Sequence, residues 1–427
     1  MCAMTTYRFR LLPSRKQEET FVKWLGTTRY LYNLFLEYRM TVYKASGKTI
    51  SKFDIQKELT ELKSDYSWIA EIHSQTLQDV TDRFDRAYQN FFKRVKADAS
   101  KGFPKFKNRR TWDSFLFKQG VKKLEKENKI SLPKIGHVRF KASQEIVGQI
   151  KTCSIVREGK SWFACVTCER EFLPLPVSQN MIGIDLGLKS LIATSDGNFI
   201  AHPKFGAASA KKTKKLNQSL SRKKNGSKNK EKVRFQLGVE STRIKNARKD
   251  FLHKLSSKLI DENQVIVCEE LQVKNLMKKC KPKTDEAGSF IPNGQAAKRG
   301  MNRSFADAGL GMLVSMLEYK AERSGRTLLK VPAHFTSKTC NCCGSINSEL
   351  KLSDREWICS DCGTEHERDH NAAKNVLAKG MKILEKQIGG GTRLLHLENK
   401  SESFGDIPES LGAEEPISSR GRKVARA

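Results

Sequence analysis

The residues best able to do chemistry in this sequence are carboxylates and thiols. Residues 181–187 read M-I-G-I-D-L-G, with Ile182, Ile184 and Leu186 alternating with Gly183, Asp185 and Gly187. As a strand, this stretch turns its bulky side chains to one face and the Asp185 carboxylate to the other. The glycines on either side suggest open space, which suits a carboxylate that holds a metal while a bulky ligand such as a phosphodiester nears the backbone. A lone Asp in a strand is equally an ordinary residue near a turn. Two comparable settings follow downstream. Residues 265–271, V-I-V-C-E-E-L, form a buried-looking strand that ends in Glu269 and Glu270. In R-D-H-N-A-A-K-N, Asp369 is placed to cap the start of a helix.

The thiols have the more specific spacing. Cys340 and Cys343 are separated as C-x-x-C, as are Cys359 and Cys362, with 15 residues between the pairs and Gly344 and Gly363 directly after them. This is the pattern of a tetrahedral four-thiolate zinc ribbon, whose tight knuckles need glycine. Cys342, inside the first knuckle, is an alternative ligand with poorer spacing. His366 to His370, H-E-R-D-H, matches the H-E-x-x-H of zinc metalloproteases. That motif needs both histidines inside an established helix, and here it begins just after a glycine knuckle. Cys165 and Cys168 also form C-x-x-C, but in a strand they face opposite sides and read as structural thiols.

Composition limits what these groups can be for. The 427 residues include 79 Lys and Arg against 47 Asp and Glu, a formal charge of +32, which calls for a polyanionic partner. No run approaches the roughly 18 apolar residues of a membrane span, and the N-terminus lacks the apolar core of a signal peptide. The chain therefore reads as intracellular, where its 11 cysteines are thiols or metal ligands rather than disulfides.

The elements that must position the chemical groups can be read in outline. Residues 4–12 form a short strand ended by Pro13. Helical stripes follow at Leu31, Leu34, Phe35, Tyr38 and Val42, and at Leu77, Val80, Phe84, Tyr88, Phe91 and Val95, giving a helical domain that ends near Lys101. Residues 102–110, G-F-P-K-F-K-N-R-R, mix aromatic and basic side chains as a nucleic-acid-binding loop would. Residues 118–172 are mostly short strands, a small β domain that the N-terminal strand completes, so that the helices are an insertion. Pro174 and Pro176 mark a linker. Beyond Asp185 a D-G-N turn makes a hairpin. Residues 204–258 hold 18 Lys or Arg against three acids, an excess that repels itself unless a polyanion lies against it. Leu313, Leu317, Lys320 and Ala321 lie on a helix that leads to Gly325 and a further strand.

Taken in order, G-I-D-L-G-L-K-S-L, V-I-V-C-E-E-L, the paired C-x-x-C-G knuckles and R-D-H-N-A-A-K-N resemble the TnpB family, transposon-encoded OrfB proteins related to the type V CRISPR effectors. The 102–110 loop, S-F-A-D-A-G and L-E-Y-K-A-E-R-S-G-R are also similar to family segments, so the resemblance runs from near the N-terminus to Asn375. It implies a multidomain α+β chain: an RNase H-like (RuvC) α/β nuclease domain with a zinc-ribbon insertion, preceded by a β-barrel-like wedge domain that carries an inserted helical recognition domain. On this reading residues 1–12 and 104–176 are the wedge, 13–103 the recognition domain, 177–336 and 366–388 the nuclease, 337–365 the ribbon, and 389–427 a disordered tail.

The same resemblance implies a catalytic triad of Asp185, Glu269 and Asp369. Glu269 is chosen over Glu270 because the family's glutamate lies two residues before a leucine, here Leu271. Two Mg²⁺ ions held by these carboxylates would hydrolyse a phosphodiester, and one structural Zn²⁺ would be held by Cys340, Cys343, Cys359 and Cys362. The implied partners are a guide RNA from the transposon end and target double-stranded DNA beside a transposon-adjacent motif. The protein would act as a monomer within a ribonucleoprotein, in a prokaryotic cytoplasm at the nucleoid, with no membrane. Family members that have lost the triad are RNA-guided binders; this chain keeps all three acids. A non-catalytic transposase-associated DNA-binding protein would keep the ribbon and charge without needing the acids, and a zinc-ribbon RNA-binding protein would need neither charge nor acids.

Overall fold

The computed structural model describes residues 2–97, 102–124, 128–351 and 353–389. The expected tail from residue 390 onward, like Lys101, lies outside the described residues. The chain divides into two compact units, with Phe172 opening the second.

In the first unit β1 (Cys2–Leu12) is followed by helices α1 (Arg15–Ser46), α2 (Lys52–Asp65), α3 (Ser67–Ala70) and α4 (Ser74–Lys96). Then come β2 (Ser114–Phe117), β3 (Lys122–Leu124), β4 (Lys129–Leu132), β5 (Gly136–Phe140), β6 (Gln149–Glu158) and β7 (Ser161–Glu171). They form one sheet in the order β2-β6-β7-β1-β5-β4-β3. The N-terminal strand is central: β1 pairs antiparallel with β7 from Cys2↔Glu171 to Leu11↔Trp162, and with β5 at its end. Among the described residues no ladder joins β2 to β3, so the pairing is that of an open sheet rather than a closed barrel.

Helix α1 starts where Ser14 and Gln17 cap each other's backbone N–H, and it ends at Gly47 with φ 66°. Its buried residues include Phe21 and Trp24, which meet Phe115, Phe117 and Trp162 of the sheet, and Tyr32 and Phe35, which meet Phe84 of α4. The expected stripe is therefore displaced: Tyr38 is exposed and Leu34 only half-buried. A helix that packs on a sheet at one end and on a helix at the other does not keep a single stripe. On α4 Leu77, Val80, Phe84 and Tyr88 are buried and Val95 is exposed. In the basic aromatic loop Phe103 lies edge-on to Tyr88 and Phe91, and both Phe103 and Phe106 are exposed. Cys168 is buried on the inward side of β7 and Cys165 alternates to the other side.

The second unit begins with the meander β8 (Met181–Leu186), β9 (Ser190–Thr194) and β10 (Phe199–Ala201). Helices α5 (Phe205–Ala208), α6 (Ala210–Ser221) and α7 (Lys228–Glu262) lead to β11 (Val265–Glu269). After α8 (Val273–Leu276), a hairpin of β12 (Lys283–Thr284) and β13 (Phe290–Ile291), α9 (Gln295–Ala308) and α10 (Leu310–Arg323) comes β14 (Thr327–Val331). The hairpin β15 (Glu356–Ile358) and β16 (Glu365–Glu367) precedes the long helix α11 (Arg368–Gly389).

The sheet order is β10-β9-β8-β11-β14, antiparallel on the β9 side of β8 and parallel from β8 through β11 to β14. Alternation along the strands sorts the side chains. Ile182, Ile184, Leu186, Ile266 and Cys268 face a core made with Leu252 and Leu259 of α7 and Leu313 and Leu317 of α10. On the opposite face Val265, Val267 and Val331 pack on Val376 and Leu377 of α11. The basic insertion is tied down at two acids. Buried Glu240 accepts from Ser209, Lys212 and Arg243, and Asp307 accepts from Gly206, Ala207 and Arg248.

Candidate active site and metal centre

Parallel pairing sets the first two carboxylates side by side. The register of β8 and β11 runs from Met181↔Val265 to Ile184↔Cys268, and its next step puts Asp185 level with Glu269 on the same face, at the carboxyl ends of both strands. Ligands of open α/β sheets bind at such ends. The third acid arrives on α11, which packs over that face. Ala373 of α11 meets Gly183 of β8. Asp369, one helical turn or about 6 Å of rise before Ala373, is thereby carried towards Asp185, which lies two residues or roughly 6.7 Å along the strand from Gly183.

The glycines of M-I-G-I-D-L-G do not leave open space, contrary to the expectation from sequence. A Cβ on Gly183 would sit 2.3 Å from Ala373 O and 2.7 Å from Leu377 Cβ, and one on Gly187 would sit 2.8 Å from Ser190 O. Both positions are filled by protein backbone. Gly380 of α11 makes the reciprocal approach, for a Cβ added there would sit 2.5 Å from the Val267 methyl groups. The glycines therefore let helix and strand touch and so deliver Asp369, rather than admitting a ligand.

Asp185 feels the charges of both other acids. Asp185, half-buried, is pushed up to about 7, first by burial, then by the charges of Glu269 and Asp369, with Arg368 opposing. Burial also raises Glu269, against a hydrogen bond from Thr336 and the charge of Lys379. Glu269 is buried and Glu270 exposed, so burial separates the two adjacent glutamates. Each of the other two acids has a second partner: the Thr336 hydroxyl donates to Glu269 Oε1, and Arg355 Nη1 donates to Asp369 Oδ1 at 3.3 Å. A cluster in which ionisation is resisted by neighbouring carboxylates is one that a cation relieves, and its all-oxygen donors suit a hard ion such as Mg²⁺.

Among the described residues the one group of His, Cys, Asp or Glu side chains gathered closely enough to hold a metal ion is the four thiols of Cys340, Cys343, Cys359 and Cys362, whose sulfurs all lie within 4.8 Å of one another; Asp185, Glu269 and Asp369 are not drawn together that closely. The Cys340–Cys362 and Cys343–Cys359 separations are 3.6 Å. That is close to the edge of about 3.8 Å expected for a tetrahedron built on Zn–S bonds of about 2.3 Å, so the site fits a zinc ion. The two knuckles are built alike. Gly344 N donates to Cys340 O and Gly363 N to Cys359 O, while Cys340 N and Cys359 N reach Ser345 O and Thr364 O. Gly344 and Gly363 have φ of 81° and 67°. Cys342 is exposed and outside the cluster.

The H-E-x-x-H pattern is broken across two elements. His366 lies in β16, its Nε2 3.0 Å from Cys340 Sγ and its ring beside Trp357, whereas His370 lies in α11 with Nε2 3.0 Å from Ser195 O. The helix start is capped by Glu367, whose carboxylate accepts from His370 N, so Asp369 is not used as the cap. Sequence reasoning missed the residues that join ribbon to helix. Asn371 and Asn375, one turn apart on α11, donate to Thr339 O, Asn375 also donates to Thr336 O, and Asn371 accepts from Asn341 N. Two asparagines at i, i+4 on a helix with an otherwise apolar face were the available signal.

Three family models match parts of the chain: "Helix-turn-helix domain" over residues 1–48, "Probable transposase" over 163–279, and "Cas12f1-like, TNB domain" over 311–376. Within the first stretch the described residues form β1 and the single helix α1, with no second helix. Over 387 residues the chain is 31% identical to "Putative RNA-guided DNA endonuclease InsQ" of Escherichia coli K12, with 90% of this chain and 94% of that protein covered. The chain belongs to the TnpB family. This TnpB-family chain is also 32% identical over 390 residues to "Putative RNA-guided DNA endonuclease" of Streptomyces pristinaespiralis, covering 88% of this chain and 89% of that one. Among solved structures it is similar to the Cas12f1 chain of a Cas12f1-sgRNA-target DNA complex, with a TM-score of 0.49, 13% identity, and coverage of 88% of this chain and 98% of that chain.

Proposed function

We propose that this TnpB-family protein is an RNA-guided DNA endonuclease whose cutting centre is Asp185, Glu269 and Asp369. The observation that carries the reading is the meeting of β8, β11 and α11, whose register and packing direct Asp185, Glu269 and Asp369 to one end of one sheet face. The five-stranded mixed sheet, with a three-stranded antiparallel meander continued by two parallel strands, supports an RNase H-like nuclease domain of the RuvC kind. Magnesium held by the three carboxylates, as two ions, would activate water and offset charge on the departing oxygen of a phosphodiester.

The chain's own residues supply the rest. Backbone contact at Gly183 sets the height of Asp369, Thr336 turns Glu269, and Arg355 brings a cation next to Asp369. A zinc ion on the four thiols would hold the ribbon that presents Arg355. A net charge of +32 suits a guide RNA from the transposon end together with target double-stranded DNA. Specificity would then come from pairing with the guide, and the protein would read only a short transposon-adjacent motif. No described helix is long and apolar enough to cross a membrane; a cytoplasmic, nucleoid-bound ribonucleoprotein with one copy of the chain completes the proposal. Residues 1–12 and 104–176 are proposed as wedge, 13–103 as recognition domain, 177–336 and 366–388 as nuclease, and 337–365 as ribbon.

The deciding experiment supplies two guides and two plasmids that carry the same adjacent motif, with magnesium. Changing the guide should redirect cutting to the newly complementary plasmid with no change of protein. Cutting at a fixed site whatever guide is present would defeat the proposal and favour a transposase-associated DNA-binding protein.

A further inference from the structure

In the loop between β14 and the first zinc knuckle, Thr336 touches the proposed cutting centre. This residue is 3% exposed, and its hydroxyl donates to Oε1 of Glu269, itself 7% exposed. The hydroxyl also lies 3.2 Å from Ala333 O, but its single proton favours the charged acceptor. Thr336 is fixed from behind: its carbonyl accepts from Asn375 Nδ2 at 2.9 Å, and the same amide reaches Thr339 O at 2.6 Å. Asn375 stands on α11, six residues after Asp369. A line of hydrogen bonds therefore runs from the helix that carries Asp369, through Thr336, to the strand that carries Glu269. The preceding residue, Phe335, takes φ 57°, an unfavourable conformation for a bulky side chain, which is held because its carbonyl accepts from Lys338 N, Thr339 N and Thr339 Oγ1.

We propose that Thr336 is the positioning residue for Glu269, fixing one carboxylate oxygen so that the other is presented to a divalent cation. The inference rests on the nuclease reading given above. A hydroxyl suits this task better than a cationic side chain, because it orients the carboxylate without cancelling the charge that attracts the ion. Partners of this kind, one step behind a metal ligand, typically change metal affinity by about 10–100-fold when lost.

The test compares Thr336→Val, which keeps the shape and removes the hydroxyl, with Thr336→Ser, which keeps the hydroxyl. Mn²⁺ binding to the guide-loaded protein is followed by electron paramagnetic resonance, and cutting is titrated with Mg²⁺. Thr336→Val should weaken Mn²⁺ binding and raise the half-saturating Mg²⁺ by about tenfold, while Thr336→Ser stays within about twofold of wild type. If the valine variant does not fold, Thr336→Ala, which leaves a small hole instead of a methyl against the carboxylate, is read in its place. Unchanged Mn²⁺ affinity in the hydroxyl-less variant overturns the inference, as does equal damage in Thr336→Ser with a lowered Tm. Glu269→Gln is run alongside: if it cuts at the wild-type rate, the nuclease reading itself has failed, whereas an inactive Glu269→Gln beside an unaffected Thr336→Val removes only the role of Thr336.

Discussion

A side-chain carbon added at Gly183 would lie 2.3 Å from the carbonyl oxygen of Ala373, so β8 and α11 meet backbone to backbone. Neither partner can give way as a flexible side chain would. Gly183→Ala should therefore lift α11, cost about 1–3 kcal/mol of stability, and reduce cutting at least tenfold with guide-dependent DNA binding retained. Gly238 is the control, since nothing lies within 4 Å of its Cβ position in the middle of α7. Gly238→Ala should raise stability by about 0.5–1 kcal/mol. Thermal unfolding beside a cutting assay checks both, and equal behaviour of the two variants would contradict the close-contact account.

Asp185 is held at about 7, chiefly by burial and then by Glu269 and Asp369. An unfolded aspartate titrates near 4, so between about pH 4 and 7 the native state binds more protons than the unfolded chain, and stability falls as pH rises through that window. Asp185→Asn removes this penalty. In buffer without magnesium at pH 8 the variant should melt above wild type, by on the order of 3–6 °C, and once magnesium is supplied it should still cut nothing. A variant that melts at or below wild type there would show that the carboxylates do not strain the fold.

The same proton competes with a divalent cation for the Asp185 carboxylate. At limiting Mg²⁺ the cutting rate should fall as pH drops below about 7, and added Mg²⁺ should restore it. A loss at acid pH that no amount of Mg²⁺ recovers would place its cause outside the carboxylate cluster.

For the ribbon, the expected content is about one zinc per chain, by the count of one ion per four thiolates. Cys359→Ser should lose it, loosening the ribbon that carries Arg355 and contacts α11 through Asn341 and Asn371, and cutting should drop although no proposed catalytic acid is altered. Metal analysis of purified protein together with the cutting assay decides the matter. A zinc-free Cys359→Ser that cuts normally would show the ribbon to be uncoupled from the centre.

What could be read ahead of the structure was whatever one segment determines by itself. Alternation in 181–187 and 265–269 separates core face from acid face, and the spacing of Cys340, Cys343, Cys359 and Cys362 brings four sulfurs together. Contacts between distant segments could not be read. Glycine at 183 says that no side chain is present, but not that the Ala373 backbone occupies the place of one. Thr336 and Glu269 are 67 residues apart, and nothing local marks a threonine as the partner of a particular glutamate. On α1 the apolar stripe was misplaced because the helix changes packing partner along its length, from the sheet at Phe21 and Trp24 to α4 at Tyr32 and Phe35.

The route of the chain through β8, β11 and α11 also sets a schedule. Asp185 leaves the ribosome long before Asp369, and at about 5–20 residues per second the interval is on the order of 10–40 s. Glu269 follows 84 residues after Asp185, and over the remaining 100 residues both strand acids exist while the helix that supplies the third has not been made. A nascent chain could gather RNA on its basic helices throughout this interval while having no means of cutting it or the template nearby. The proposed nuclease would become active only when the last element of its sheet-covering layer is translated and docks, so a product truncated before α11 would bind nucleic acid without cutting it.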